Sequence, residues 1–140
     1  MRTRATIFFM LMCMAVSGGC QERPSRAAYH AMLNVLLSHT VPEVATAQLA
    51  SLPQPLLLDA RAREEFEVSH IKGAKWVGFD SFDPQKLQSV PRNTPVVVYC
   101  SVGYRSEKIA EKLQGLGFTE VYNHFGGIFD WVNQDRVVVN

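Results

Sequence analysis

Val96-Val97-Val98-Tyr99 is an unbroken run of β-branched and aromatic residues that ends on Cys100. Such a run reads as a buried strand. A well-patterned helix follows over residues 106–116. Its apolar stripe is Ile109, Ala110, Leu113 and Leu116, and Glu107, Lys108, Glu111, Lys112 and Gln114 are expected to face water. Gly115 or Gly117 is placed to cap its end. A cysteine therefore stands where a buried strand ends and a helix begins, with a glycine and an arginine in the turn between. A helix N-terminus presents unpaired N–H groups and a partial positive charge. Those conditions hold a thiolate and cradle an anion. The pattern predicts cysteine chemistry on a small anionic or sulfur-bearing substrate.

The rest of the chain alternates short strands with short helices. Residues 27–37 have helical spacing, and Val41-Pro42 ends that helix. Residues 43–45 suit a short edge strand, since Pro42 disfavours a central one. Thr46 is placed to cap a short helix over 47–52. Leu56-Leu57-Leu58 is a fully apolar run followed at once by Asp59-Ala60-Arg61, as at the end of a buried parallel strand. A one- to two-turn helix near 64–68, a turn over 69–74 and a strand over 75–79 come next. Residues 80–95 are loop-rich, with a short helix around 84–87. After the 106–116 helix come a strand over 119–122, a turn at Phe125-Gly126-Gly127, and an apolar-faced helix over 128–132. This alternation predicts an α/β domain with a mostly parallel sheet.

The first residues read differently. Arg2 and Arg4 are followed by an apolar run over 5–16, then by Ser17-Gly18-Gly19-Cys20. That is the layout of a secretory signal, over residues 1–19, and its apolar run is short for a transmembrane span. Cys20 directly after small residues looks like the lipidated first residue of a bacterial lipoprotein, although Ser17 stands where such signals usually carry leucine. Residues 20–26 then form a tether, 27–40 an N-terminal helix, and 41–140 the domain. The expected location is the cell envelope, on the far side of the inner membrane. With that segment removed, the 14 basic residues lose Arg2 and Arg4, leaving 12 against 13 acidic, a net charge of −1. Cys13 is also lost, so Cys100 is the one thiol left once Cys20 carries lipid. A single unpaired cysteine in an oxidising compartment points to a reactive thiol.

At 140 residues, 47% hydrophobic and 19% charged, the chain is sized for one ordinary core. The near-zero charge and the lack of basic runs give no support to nucleic-acid binding. No second histidine or cysteine at ligand spacing accompanies His70, so no metal is expected. His70 reads as a structural turn residue, His124 as a surface histidine, and Trp76 and Trp131 as core.

In the loop, Gly103 permits positive φ and a close approach of backbone to sulfur. The helix start, the loop N–H groups and Arg105 are the three features expected to stabilise a negative sulfur. The loop Cys100-Ser101-Val102-Gly103-Tyr104-Arg105-Ser106 resembles the C-x-x-G-x-R-S active-site loop of single-domain rhodanese-like sulfurtransferases. Leu58-Asp59-Ala60-Arg61, Glu65-Phe66, His70-Ile71-Lys72-Gly73-Ala74 and Gly126-Gly127 through Trp131 resemble that family's other segments, in order and spacing.

The resemblance implies a five-stranded parallel sheet with helices on both faces, and a Cys100 that accepts a sulfane sulfur as a persulfide. Cys100 and Arg105 are then catalytic. Ser101, Val102, Gly103, Tyr104 and Arg61 contact the substrate, and Asp59 and Ser106 support the loop. Asp59 either orients a loop N–H or pairs with an arginine. The partners implied are a small sulfur donor, such as thiosulfate or a persulfide, and a thiol or cyanide-like acceptor. No cofactor is expected, the chain is expected to be monomeric, and membrane contact runs only through a lipid on Cys20. Two departures stand out. Ser101 and Val102 replace the basic residues many thiosulfate-using members carry, and Gln134-Asp135-Arg136 stands where a Gly-Pro often follows the last helix. Four residues separate Cys100 from Arg105, one fewer than in phosphatases of the same fold, which suits sulfur better than a phosphoryl group. The alternative reading is a sulfur-carrier or protein-binding module that does not turn over.

Overall fold

Five short strands lie side by side in the computed structural model, which describes residues 25–140. They are β1 (Glu43–Val44), β2 (Leu56–Asp59), β4 (Lys75–Trp76), β5 (Val96–Tyr99) and β6 (Val121–His124), in the order β1-β6-β5-β2-β4. Every pairing in this sheet is parallel. The remaining strands, β3 (His70–Ile71) and β7 (Val138–Val139), form a separate antiparallel ribbon. The expected signal segment, the cleavage point and Cys20 lie outside the described residues.

β5 is at the centre and all four of its residues are buried. Its side chains alternate between two layers, as strand geometry requires. Val96 and Val98, with Cys100, pack against Ile109, Ala110 and Leu113 of helix α4 (Tyr104–Gly115). Val97 turns the other way, towards Val44 and Leu49, the latter on helix α2 (Thr46–Ser51). Tyr99 meets Ile128 of helix α5 (Gly127–Asn133). Helices therefore cover both faces of the sheet. Helix α3 (Arg63–Val68) and a 3-10 turn at Pro84–Leu87 fill the connections.

The winding of the sheet explains where a site can form. From β2 the chain moves outward to β4, then crosses back over to β5 and continues to β6. The direction reverses between β2 and β5, which are neighbours in register from Leu56–Val96 to Asp59–Tyr99. Loops leaving the carboxyl ends of such a pair diverge and open a crevice. Asp59-Ala60-Arg61 and Cys100 leave those two ends.

Several sequence expectations are corrected. The helix expected over 27–40 is α1 (Arg26–Leu36), and the chain leaves it through extended Leu37 and His39 at φ +54°. Glu107 was expected in water but is fully buried. Its carboxylate accepts the N–H groups of Ser38 at 3.0 Å and Thr40 at 3.1 Å. The segment after α1 thus covers a second side of α4, beyond its apolar stripe. Leu116 of that stripe is instead half-exposed. Thr46 is not a cap: Ala45 takes that position, and the Thr46 hydroxyl is used on Asp130. His124 is buried rather than at the surface. Trp76 and Trp131 are only partly buried, with their indole N–H groups on the carbonyls of Arg61 and Val137. The expected turn over 69–74 contains β3.

Candidate active site

The turn after β5 folds back on its own cysteine. The Gly103 N–H points at Cys100 Sγ, 3.2 Å away, and the Ser106 hydroxyl lies 3.4 Å from the same sulfur. Cys100 itself is buried, with 1% of its surface exposed. It is the free cysteine of the described residues. Gly103 adopts φ +120°, where an L side chain is strained. A Cβ there would also stand 3.2 Å from Leu37 Cδ1, so the segment after α1 forms a lid on the loop.

Asn123 on β6 holds this turn from beneath. Its Nδ2 donates to the Gly103 carbonyl at 3.0 Å, which fixes the amide's orientation. Its Oδ1 then accepts the Ser106 hydroxyl at 2.6 Å. The hydroxyl has one hydrogen, so rotation about Cβ–Oγ exchanges Asn123 for the sulfur. Asn123 is fully buried and was not singled out from sequence. The strand expected over 119–122 stops short of it, whereas β6 runs on to His124, so no sequence signal marked it as a buried strand residue.

A second clamp comes from α5. The N–H groups of Ile128 and Phe129 donate to the carbonyls of Cys100 at 2.9 Å and Ser101 at 3.2 Å. Gly127 makes this approach possible. A Cβ on it would lie 2.4 Å from the Cys100 oxygen and 2.5 Å from that of Ser101.

Arg105 is held by a carboxylate. Its Nη1 and Nη2 donate to Glu65 at 2.8 and 3.2 Å, and Nη2 also donates to Ser101 Oγ at 2.9 Å. The Ser101 hydroxyl passes its own hydrogen to Glu65 at 3.2 Å. Arg105's hydrogen bonds hold the Glu65 carboxyl well below its ordinary range, at about 2, against the opposing effect of burial. The pKa of Arg105 is raised, chiefly by Glu65, with a lesser contribution from Cys100. Glu65 also accepts the Ala62 N–H at 2.9 Å, so it ties the start of α3 to the loop.

Arg61 is buried and not solvated. Its Nε reaches both Asp59 oxygens at 3.0 and 3.1 Å, and Nη2 reaches Asp59 at 2.7 Å and the Ser69 carbonyl at 2.6 Å. Asp59 is therefore an arginine partner. Arg61 lines cavities on two sides, one shared with Arg105 and Trp76 and the other with Ile128 and Tyr29. Val102 is partly buried and Tyr104 is half-exposed at the start of α4. His70 Nδ1 donates to the Phe66 carbonyl at 3.0 Å and the imidazole stacks on the Phe66 ring, a local structural role.

The rhodanese-like domain model matches residues 42–134. The thiosulfate sulfurtransferase GlpE of Tolumonas auensis is 35% identical over 85 residues, which span 61% of this chain and 79% of that protein. A tRNA uridine(34) hydroxylase of Protochlamydia amoebophila is 36% identical over 85 residues, but these span only 27% of its length. Among solved structures, a rhodanese-like domain from Anabaena superposes with a TM-score of 0.65 at 21% identity, covering 71% of this chain and 80% of that one. The loop geometry, the parallel sheet and these matches agree, and the chain belongs to the rhodanese-like family.

Proposed function

We propose that the protein transfers sulfane sulfur through a persulfide on Cys100. The Cys100 thiolate attacks the outer sulfur of a donor, the donor's remaining anion leaves, and an acceptor later removes the bound sulfur. The observation that carries this is the short cradle. A four-residue turn brings the Gly103 N–H and the Ser106 hydroxyl to 3.2 and 3.4 Å from one sulfur. The N–H groups of Val102, Tyr104 and Arg105 have no acceptor among the described residues, which leaves them available to a second sulfur. Cys100 and Arg105 are assigned the catalytic roles, with Arg105 working through the electrostatics of the loop. The sequence relationship to a thiosulfate sulfurtransferase supports the same reaction class.

The test is to expose the purified chain to thiosulfate and to a low-molecular-weight persulfide, then read its intact mass. One added sulfur atom on the wild type, none on Cys100→Ala, and thiocyanate release on adding cyanide are expected. Absence of loading on the wild type overturns the reading. Stable loading without thiocyanate release selects the carrier alternative, which the engagement of Arg105 by Glu65 favours. We also propose that Cys20 carries a lipid holding the domain in the cell envelope. A Cys20→Ser chain that remains with membranes overturns that proposal.

A further inference from the structure

Tyr29 lies on α1, before the family match begins at residue 42. Its phenol nevertheless donates to the Gly126 carbonyl at 2.8 Å, at the start of the helix that clamps the cysteine loop. The helix is firmly held there. Leu33 and Leu37 are buried, His30 Nε2 lies 3.3 Å from Asp130 on α5, and Glu107 fixes the following segment.

Between Tyr29 and α5 is a cavity of about 450 Å³. Tyr29, Ile128, Phe129 and Val132 supply its apolar walls, and Arg61 and Ser69 its polar side. Ile128 and Phe129 are the two residues whose N–H groups hold the Cys100 and Ser101 carbonyls, so the cavity begins one residue away from the reactive loop. Burial raises the Tyr29 pKa to about 12, with the charges of Asp130 and Cys100 adding to it. A space of this size exceeds what an inorganic thiosulfate ion fills, and ligand pockets with mostly apolar walls and a few polar groups take organic molecules.

We infer that this cavity holds an apolar organic group attached to the sulfur that Cys100 receives, with Tyr29 as a specificity-determining wall supplied from outside the family domain. The inference rests on the sulfur-transfer reading. For an organic thiosulfonate the Cys100 thiolate attacks the terminal sulfur. A Cys–S–S⁻ bond forms, the bond between the sulfonyl and terminal sulfur atoms breaks, and its electron pair leaves with the sulfinate. The organic group stays in the cavity throughout and Tyr29 takes no part in bonding.

The experiment compares methanethiosulfonate with benzenethiosulfonate, which share the reacting atoms and differ in bulk. On the full chain in mild detergent, KM for the benzene compound is expected to be about tenfold lower than for the methane compound, as apolar pocket discrimination usually gives. Tyr29→Ala should bring the two KM values within about twofold. Phe129→Ser alters an exposed side chain on the opposite wall and should narrow the ratio without loss of folding. Equal KM values for the two compounds, or a ratio unmoved in both variants, overturns the inference. To separate it from the transfer reading, both compounds are also titrated against Cys100→Ser by ligand-observed NMR. Tighter binding of the benzene compound, lost in the Tyr29→Ala background, upholds the pocket even when the wild type loads no sulfur. Equal binding overturns it even when sulfur transfer is real.

Discussion

Glu65 and Arg105 are 40 residues apart in sequence, and in the fold two guanidinium nitrogens meet the two carboxylate oxygens at 2.8 and 3.2 Å. The cation of the cysteine loop is thereby tied to a carboxylate on a neighbouring helix. The pair has a defined acid limit. Its hydrogen bonds depress the Glu65 pKa from 4.5 to about 2. A depressed carboxyl adds stability that is present above the unfolded value and is lost as pH falls through the folded one. Its contribution to stability is therefore expected to fade between about pH 4.5 and 2, while in the folded chain the clasp itself opens near pH 2. Solvent screening keeps its effect on overall stability small. A carbon-detected NMR titration of the Glu65 carboxyl reads this directly, and a midpoint near 4.5 refutes the clasp.

Removing the charge on Glu65 should release Arg105 towards the loop. Glu65→Gln keeps the shape and the Ala62 contact but weakens the hold on the guanidinium. A freed cation favours a doubly negative donor. KM for thiosulfate is expected to fall about threefold, the scale of a part-exposed ion pair. Steady-state kinetics with cyanide as acceptor would show it. An unchanged or higher KM means that Arg105 contributes from its clasped position.

Gly127 and Gly117 offer a controlled comparison, since both have positive φ, +59° and +92°. Nothing lies within 4 Å of a Cβ at Gly117, so Gly117→Ala carries only the backbone cost of about 1 kcal/mol at a helix C-terminus. At Gly127 the added carbon would meet two loop carbonyls at 2.4 and 2.5 Å. Gly127→Ala must push α5 off the cysteine loop. Sulfur loading should be lost in the second variant and retained in the first, as intact mass would report. Equal loading in both would show that α5 does not shape the loop.

The strand, turn and helix around Cys100 were legible because each is encoded locally: an apolar run, a glycine, a periodic stripe. The pairing of Asp59 with an arginine and its position beside Cys100 were partly legible, because apolar runs ending in polar residues mark the carboxyl edge of a parallel sheet. What escaped was non-local. Glu65 belonged to a recognisable segment, but nothing near it in sequence indicates Arg105 as its partner. Glu107 fills a polar gap in the α4 stripe and so reads as solvated. Only the docking of the segment after α1 buries it, and helical periodicity assumes a single covered face. β7 and β3 pair across 66 or more intervening residues, and two-residue strands leave almost no periodic signal.

Asn123 should be the most sensitive residue outside the loop. Asn123→Ala removes the side-chain donor on the Gly103 carbonyl and the acceptor of the Ser106 hydroxyl. The carbonyl keeps the Glu107 N–H and the hydroxyl can turn to Cys100 Sγ, so neither is left wholly unpaired. A loss of about 2 kcal/mol in urea unfolding is expected for two hydrogen bonds, together with slower sulfur loading, because the Gly103 N–H and the Ser106 hydroxyl both face Cys100 Sγ. A destabilised variant that loads at the wild-type rate would confine Asn123 to a structural role.

His124 sets the acid side of stability above the range of Glu65. The Thr46 hydroxyl lies 2.5 Å from Asp130 Oδ2 and gives it its single hydrogen. Thr46 Oγ1 must then accept from His124 Nε2 at 2.9 Å, which assigns the neutral tautomer with hydrogen on Nε2. Nδ1 is left as a buried lone pair without a partner. Protonation would put a charged N–H there with nothing to receive it. Burial lowers the His124 pKa from 6.5 to about 4, against a smaller opposing effect of Asp130. Between those values the unfolded chain binds a proton that the folded chain refuses, so stability rises with pH across that window and falls as pH drops. The loss on going from pH 7 to 4 is on the order of 3 kcal/mol for a group so deeply buried. His124→Gln keeps an N–H for Thr46 and cannot titrate, so its stability should be flat where the wild type declines. Urea unfolding at pH 7, 5.5 and 4 on both chains separates this from Glu65, whose own loss begins only below about pH 4.5. Parallel declines in the two chains would mean that another group, not His124, carries the acid sensitivity.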